Sequence, residues 1–293
     1  MDKVRLSVII LNYNTKELLA DCLKSVRKVF DEVPMEVIVS DNSSDDGSAK
    51  MVKGKFPWVK LIVGPNEGFS KGNNRAKDLV SGDMVLFLNP DTIVYPGVFS
   101  KTVRYLEEHP NVGAVTCKLV LPDGSLDKDV RRRFPTPWVS FQRLVLGQSR
   151  YYYYEDIPSN ATHEVEAIQG AFFLTWRKIL DKVGWFDGGY FFDGEDVDLS
   201  YQITKSGYSL VYYPDVFITH LKGVTKGKVK KWRYKLTDQQ RKKIRLAGVA
   251  SMERFYRKNL WNKYPLLFNY FVILGINMFK LIRYIRVALL SSY

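Results

Sequence analysis

Cysteine and histidine are scarce: two and three residues in a chain of 293. Cys22 and Cys117 make no disulfide framework and no thiolate metal cluster, so they read as buried free thiols of a reducing compartment. His109 and His163 sit in polar contexts, which leaves His220 as the histidine to weigh. The N-terminal residues are not expected to be a signal peptide. The apolar stretch of "MDKVRLSVIILNYN" is only about seven residues, with no small-residue cleavage site, and reads as a first strand. There is no internal repeat and no low-complexity linker. Acids are scarce in one region only. Lys222 to Lys263 carries 15 Lys and Arg against two acids, whereas residues 1–221 carry 26 Lys and Arg against 29 acids. The net charge of +13 therefore belongs to the tail. Residues 1–221 and 222–293 are expected to do different jobs.

What is present in residues 1–221 is alternation. "LSVIILN", "MEVIVSDN", "VKLIVG" and "DMVLFLN" read as strands rich in Val, Ile and Leu. Between them, "TKELLADCLKSVRKV" carries apolar residues at helical spacing, with Thr15 as the expected N-cap. This pattern predicts an α/β fold, a mainly parallel sheet covered by helices on both faces. Ligands of such sheets bind beyond the carboxyl ends of the strands. Asn12, Asp41, Asn66 and Asp91 each follow such an end, so their polar groups should converge on one rim. "GAFFLTWRKILDKVGWFD" reads as a helix with turns, "GEDVDLSYQITKSGY" as an acidic entry into a helix, and "SLVYYPDVFITH" as a strand ending at His220. Residues 121–166, with "RRRFPTPW" and "RYYYYEDIPSN", read as an irregular surface excursion. The four tyrosines are compatible with a stacking platform for a sugar or lipid, which the spacing does not demand.

Three acidic sites stand out: Asp41, Asp91, and the group Glu195, Asp196 and Asp198. A single Asp after a strand is ordinarily a turn residue or helix cap, and acids at a helix start suit its dipole. Three such sites in one α/β unit suit other work. One acid can bind nucleoside hydroxyls, one can hold a divalent cation against a diphosphate, and one can serve as a general base. "NEGFSKGNNRA" offers Gly68 and Gly72 for close backbone approach, the Lys71 charge, and the Asn73 and Asn74 amides at a helix start. That suits an anionic phosphate, although Gly-Asn loops are also common turns. It is neither a GxGxxG motif nor a P-loop. His220 at a strand end is open to a structural or a ligating role.

In order, "VIILNYN", "EVIVSDNSSDDGS", "NEGFSKGNNRA", "LFLNPDT", "GAFFLTWRKILDKVGWFD", "FFDGEDVDLSYQITKSGY" and "ITHLKG" resemble family 2 of the inverting glycosyltransferases. The nearest branch is rhamnosyltransferase-like and builds bacterial cell-surface polysaccharides. The likeness runs roughly from Val4 to Leu260. It implies a GT-A fold, Rossmann-like with a mixed, mainly parallel sheet, and a nucleotide-diphospho-sugar donor. Leu11, Asn12 and Tyr13 match the first nucleoside-contacting loop, and Asp41 the acid that holds base or ribose. Asn66, Gly68, Phe69, Lys71 and Asn73 match the second nucleotide loop. Asp91 matches the last acid of the DxD motif, where Asn89 replaces the first acid and removes a charge from the metal site. Asp196, with Glu195 before it, matches the "ED" motif that supplies the catalytic base. His220 matches a histidine that in some relatives ligates metal or diphosphate. The implied cofactor is Mg²⁺ or Mn²⁺. The favoured donor is dTDP-rhamnose, with UDP-hexoses next, and the acceptor is a glycan or lipid-linked glycan.

The tail completes the expectation. "YPLLFNYFVILGINMF" is apolar for about 16 residues, short of the ~20 that a spanning helix needs. "KLIRYIRVALL" then interleaves Lys280, Arg283 and Arg286 with apolar residues, which suits a helix lying in a membrane interface. The basic stretch would meet anionic lipid. A peripheral or monotopic protein on the cytoplasmic side of the cell membrane is expected. The apolar segment favours membrane over nucleic acid as the partner of the basic charge, and a homo-oligomer is compatible. A sugar nucleotidyltransferase would be expected to carry a basic, Gly-rich loop after the first strand, where this chain has "NYNTKE". A non-enzymatic membrane- or RNA-binding protein accounts for the tail but not for the ordered acids.

Overall fold

The structure is a computed structural model that describes residues 4–222 and 238–290. Residues 223–237 of the basic stretch lie outside the described residues. In chain order the elements are β1 (Leu6–Asn12), α1 (Lys16–Lys28), β2 (Met35–Asp41), α2 (Ser48–Lys55), β3 (Val59–Val63), α3 (Phe69–Asn74) and β4 (Met84–Leu88). Then come β5 (Thr92–Val94), α4 (Val98–Glu108), β6 (Val112–Val120), β7 (Arg131–Arg132), α5 (Pro137–Leu144), β8 (His163–Val165), β9 (Ala167–Ile168) and β10 (Phe172–Trp176). The chain continues with α6 (Arg177–Val183), α7 (Glu195–Lys205), β11 (Ser209–His220), α8 (Asp238–Phe255) and α9 (Leu266–Leu290).

The main sheet runs β3-β2-β1-β4-β10-β6-β11-β5, with β8 also paired to β11. It is mixed. β3, β2, β1 and β4 are mutually parallel, β10 is antiparallel to both β4 and β6, and β11 is parallel to β6. The four parallel strands are the four apolar runs of the sequence. Val8, Ile9, Ile10, Val37, Ile38, Val39, Leu86 and Phe87 are fully buried, because helices cover both faces and leave no wet side.

Two local expectations change. "GAFFLTW" is not helical: Phe172–Trp176 forms β10 and the helix begins only at Arg177. Four of its five side chains are buried, and β10 sits between two other strands, so tertiary pairing overrides local pattern. Thr15 precedes α1 but does not cap it with its side chain. Its hydroxyl donates to Asn12 Oδ1 at 2.5 Å, and the Lys16 amide instead donates to Asp46 Oδ2 at 2.8 Å. Cys22 and Cys117 are buried free thiols, and burial pushes Cys22 up to about 12.

The tail is anchored to the sheet unit through a second apolar cluster. Ala167, Val197 and Tyr201 meet Val249, Phe255, Tyr256, Leu260, Ile273 and Ile276, with Phe134 at its margin. The two apolar stretches of the tail form one continuous helix of 25 residues, α9. Its segment Leu266–Ile285 is long and apolar enough to cross a membrane, and only 11% of that segment is buried.

Candidate active site

The rim begins where β1 and β2 end side by side, Asn12 opposite Asp41. Both side chains are buried. Asn12 Nδ2 donates to Asp41 Oδ2 at 2.7 Å, and the Ser44 amide donates to Asp41 Oδ1 at 2.8 Å. The carboxylate is thus held by donors on both oxygens. Leu11 packs its Cδ1 where a side chain on Gly72 would have to go, 2.6 Å from that position. Tyr13 is half-buried beside them.

The 66–74 loop closes over this floor. Asn66 Oδ1 accepts from the Gly68 amide at 3.2 Å, an Asx-type turn. Gly68 has φ +93°, and a Cβ there would stand 2.4 Å from the Phe191 carbonyl oxygen. Only glycine allows that approach, which lets the Phe69 amide donate to the same oxygen at 2.8 Å. Asn74 and Phe186 exchange two further bonds, at 2.7 and 3.2 Å. Asn73 is buried and donates to the Phe69 carbonyl at 3.0 Å, so it braces its own helix. Lys71 is exposed and reaches Glu67 at 3.2 Å.

The loop after β4 supplies the next group. Its start is fixed by the Asn89 amide donating to the Ala171 carbonyl at 3.1 Å. Asp91 is 2% exposed, and its Oδ1 has no hydrogen-bond donor. His220, opposite Thr92 at the end of β11, sits with Nε2 3.4 Å from that oxygen without forming a hydrogen bond. The other ring nitrogen, Nδ1, lies 2.8 Å from Asp127 Oδ2. Burial pulls the imidazole down, but the Asp91 and Asp127 carboxylates outweigh it and raise it to about 9.

The α7 start brings the last acids. Asp196 Oδ2 accepts from the Gly170 amide at 3.1 Å and from Arg132 Nη2 at 2.7 Å, while Oδ1 accepts from the Val197 amide at 2.8 Å. Gly170 precedes β10, and the Phe69 ring lies 3.4 Å from where its side chain would begin, so the 66–74 loop and the acidic helix start meet. Burial pulls Arg132 down, but Asp196, Tyr152 and Asp129 hold it charged, above the usual arginine range. Glu195 points elsewhere. It is buried, Oε2 has no hydrogen-bond partner, and burial together with Asp196 and Asp193 raises it well above the usual carboxylate range. Asp198 leaves the site altogether. Two residues along a helix is a turn of roughly 200°, so it faces the tail and binds Lys258 Nζ and Asn259 Nδ2, both at 2.7 Å.

A sequence model described as "Glycosyltransferase like family 2" matches residues 4–242. The chain belongs to glycosyltransferase family 2. It is 28% identical over 215 residues to N-acetylglucosaminyl-diphospho-decaprenol L-rhamnosyltransferase of Mycobacterium tuberculosis, covering 67% of this chain and 70% of that one. It is 26% identical to rhamnosyltransferase WbbL of Escherichia coli over 73% of this chain and 82% of the relative. A mannosyltransferase of Pyrobaculum calidifontis, solved with GDP-mannose and Mn²⁺, matches with TM-score 0.57 at 20% identity over 98% of this chain and 75% of that one. GalNAc-T7, solved with UDP, GalNAc and Mn²⁺, matches with TM-score 0.61 at 16% identity over 87% of this chain and 50% of that one. The fold is that of the GT-A glycosyltransferases.

A one-acid motif leaves few donors for a cation, and the residues here fit one. Asp91 Oδ1 is an orphaned buried oxygen with an imidazole nitrogen 3.4 Å away. Two neighbouring ligands on an octahedral cation, each at ~2.1 Å, stand roughly 3 Å apart. Asp127 is the carboxylate that would orient such a histidine. Asp127, Asp129 and Arg132 were not among the sequence candidates. They lie in the 121–166 excursion, and no spacing rule links them to Asp91 or Asp196.

Proposed function

We propose that this family 2 glycosyltransferase moves a sugar from a nucleotide-diphospho-sugar to a glycan or lipid-linked acceptor with inversion, in cell-surface polysaccharide synthesis. dTDP-rhamnose is the favoured donor and a UDP-hexose the next. Support for the rhamnosyl donor comes from the two rhamnosyltransferases among the relatives. Support for a lipid-linked acceptor comes from the N-acetylglucosaminyl-diphospho-decaprenol in the first one's name.

The nucleoside lies against Leu11, Asn12, Tyr13 and Asp41. Asp41 accepts from a ribose or base donor, its orientation fixed by Asn12 and Ser44. The 66–74 loop and Asn89 flank the diphosphate. Asp91 and His220 would hold a divalent cation, which when bound would supply positive charge against the diphosphate. Asp196 takes the proton from the acceptor hydroxyl as its oxygen attacks the anomeric carbon. The new carbon–oxygen bond forms on the face opposite the breaking bond to the diphosphate, so configuration inverts. Arg132 and the Gly170 amide aim Asp196. Glu195, buried and biased to the protonated form, acts only by shaping the helix start. The tail rests on the cytoplasmic face of the membrane through α9, whose exposed Leu267, Phe271, Leu274, Met278 and Leu281 form one stripe.

The observation that carries this reading is Asp196 fixed at the rim by Arg132 and Gly170 beside the Phe69 loop. The test is Asp196→Asn, assayed with dTDP-rhamnose and UDP-hexoses. Loss of a positioned base should lower kcat about 10²–10⁴-fold. The Tm shift with the matching nucleoside diphosphate should stay. Near-wild-type turnover of the variant would reject the base assignment.

A further inference from the structure

α5 and the turn after it leave an apolar ridge in water. Trp138 is 62% exposed, Val145 67% and Leu146 49%, and Phe141 and Leu144 are exposed beside them. Trp138 and Phe141 stack one turn apart, their ring centroids 5.9 Å from each other. Val139 turns inward and is buried, so the helix has a settled inner face and a bare outer one. Thr136 caps its start through the Val139 amide, and Pro137 occupies the first turn, so the short helix is well specified locally.

The chemistry around the ridge is one-sided. Residues 130–154 contain five arginines and no acid. Arg150 is exposed at the end of the turn. Arg143 lies over the Tyr152 ring at 4.1 Å and donates to the Tyr153 hydroxyl at 2.7 Å. The acids nearest in the chain are engaged elsewhere. Glu155 pairs with Lys128 at 2.8 Å, Asp156 lies 3.8 Å from Arg133, and Asp129 pairs with Lys222 at 2.5 Å. Indole, phenyl and branched aliphatic groups flanked by arginine and tyrosine match the layered chemistry of an anionic lipid surface. An exposed apolar patch of this kind marks a contact site, and the arginines beside it favour an anionic lipid surface as its occupant.

Position supplies the second argument. Three residues before α5, Phe134 packs against Tyr201 and Phe255, with ring centroids at 5.1 and 6.3 Å. That cluster also takes Ile273 and Ile276 of α9. α5 and α9 therefore leave the same small core, each with its apolar face outward. Two residues before Phe134, Arg132 holds Asp196.

We propose that the α5 ridge is a second membrane-contacting element, which inserts Trp138, Phe141 and Val145 into an anionic bilayer surface beside Asp196. It brings the base to the headgroup level, where a lipid-linked hydroxyl would arrive. The inference rests on the membrane reading of α9 and extends it to the catalytic face.

The full-length protein is mixed with vesicles of equal parts phosphatidylcholine and phosphatidylglycerol that carry brominated acyl chains. Bromine quenches only tryptophans that enter the lipid. The expected result is a quenched component in the wild type that is absent from Trp138→Phe. The variant Trp138→Ser/Phe141→Ser/Val145→Ser should partition about tenfold more weakly, with an unchanged Tm shift on adding nucleoside diphosphate. Vesicle binding with equal quenching in wild type and Trp138→Phe would overturn this proposal and leave the α9 reading standing. No binding at all would overturn both. A concentration-dependent dimer in wild type that the triple variant loses would make the ridge a contact between copies, and overturn the lipid assignment.

Discussion

At the scale of single residues, the site divides by what each carboxylate is allowed to meet. Asp41 is held by an asparagine amide and a backbone amide, Asp91 faces an imidazole, and Asp196 faces a guanidinium. Glu195 is pushed toward the neutral form by burial and by Asp196 and Asp193, which outweigh the attraction of Arg132. Adjacent acids in one motif thus meet different surroundings. Arg132 is the residue whose removal separates aim from binding. Arg132→Ala leaves the Asp196 charge with the Gly170 and Val197 amides only, free to turn from the acceptor. Misaimed bases lose on the order of 10–100-fold in kcat. The donor KM should stay put, because the hydrogen bonds of Arg132 go to Asp196 and the Ile168 carbonyl rather than to the 66–74 loop. Arg132→Lys should recover part of the loss. Steady-state kinetics with varied donor tests this, and a rise in donor KM with unchanged kcat would reassign Arg132 to substrate binding.

At the scale of elements, the strands of the parallel half were legible because each is an apolar run buried on both faces, and a strand-end Asn or Asp closes the run. β10 was not, since "FFLTW" followed by "RKIL" has helical spacing and only the neighbours β4 and β6 make it a strand. The acids of the rim were legible as residues at strand ends and at a helix start. Their partners were not. Asp127 sits 93 residues from His220 in sequence, and nothing local in "LDKDV" marks it. The 121–166 excursion therefore supplies partners of the rim residues His220 and Asp196. Asp127 should matter through the metal, as the group that fixes the His220 ring. Chelation should remove the nucleoside-diphosphate Tm shift of the wild type, and Mn²⁺ should restore it. Asp127→Asn should bind Mn²⁺ about 10–100-fold more weakly by calorimetry. An unchanged affinity would remove His220 from the ligand set.

At the scale of the whole molecule, the tail is held to the catalytic unit by charge as well as by the small apolar cluster. Asp187 binds Arg254 at 2.7 Å and Lys258 at 2.8 Å, and Lys258 also reaches the buried Asp198. Burial alone would raise Asp187, but hydrogen bonds from Lys258 and Arg254 and from the Gly189 amide bring it down to about 2. Unfolded aspartate titrates near 3.9. A depressed carboxylate stabilises the folded form above the unfolded value and loses that contribution as pH falls through the folded one. The docking contribution of Asp187 is therefore complete above about pH 4 and gone near pH 2. The group is partly exposed and solvent screens it, so the pair contributes roughly 0.5–1 kcal/mol at neutral pH. Asp187→Asn should lower stability by that amount at pH 7, measured by denaturant unfolding of the full chain. The gap between variant and wild type should close between pH 4 and pH 2, because the wild-type carboxylate becomes as neutral as the amide. Hydrogen exchange in α8 should rise in the variant at pH 7 and converge with wild type over the same window. A gap that persists unchanged at pH 2 would mean that the tail is held by the Phe255 and Tyr256 cluster alone, and that the Asp187 pairs add nothing to it.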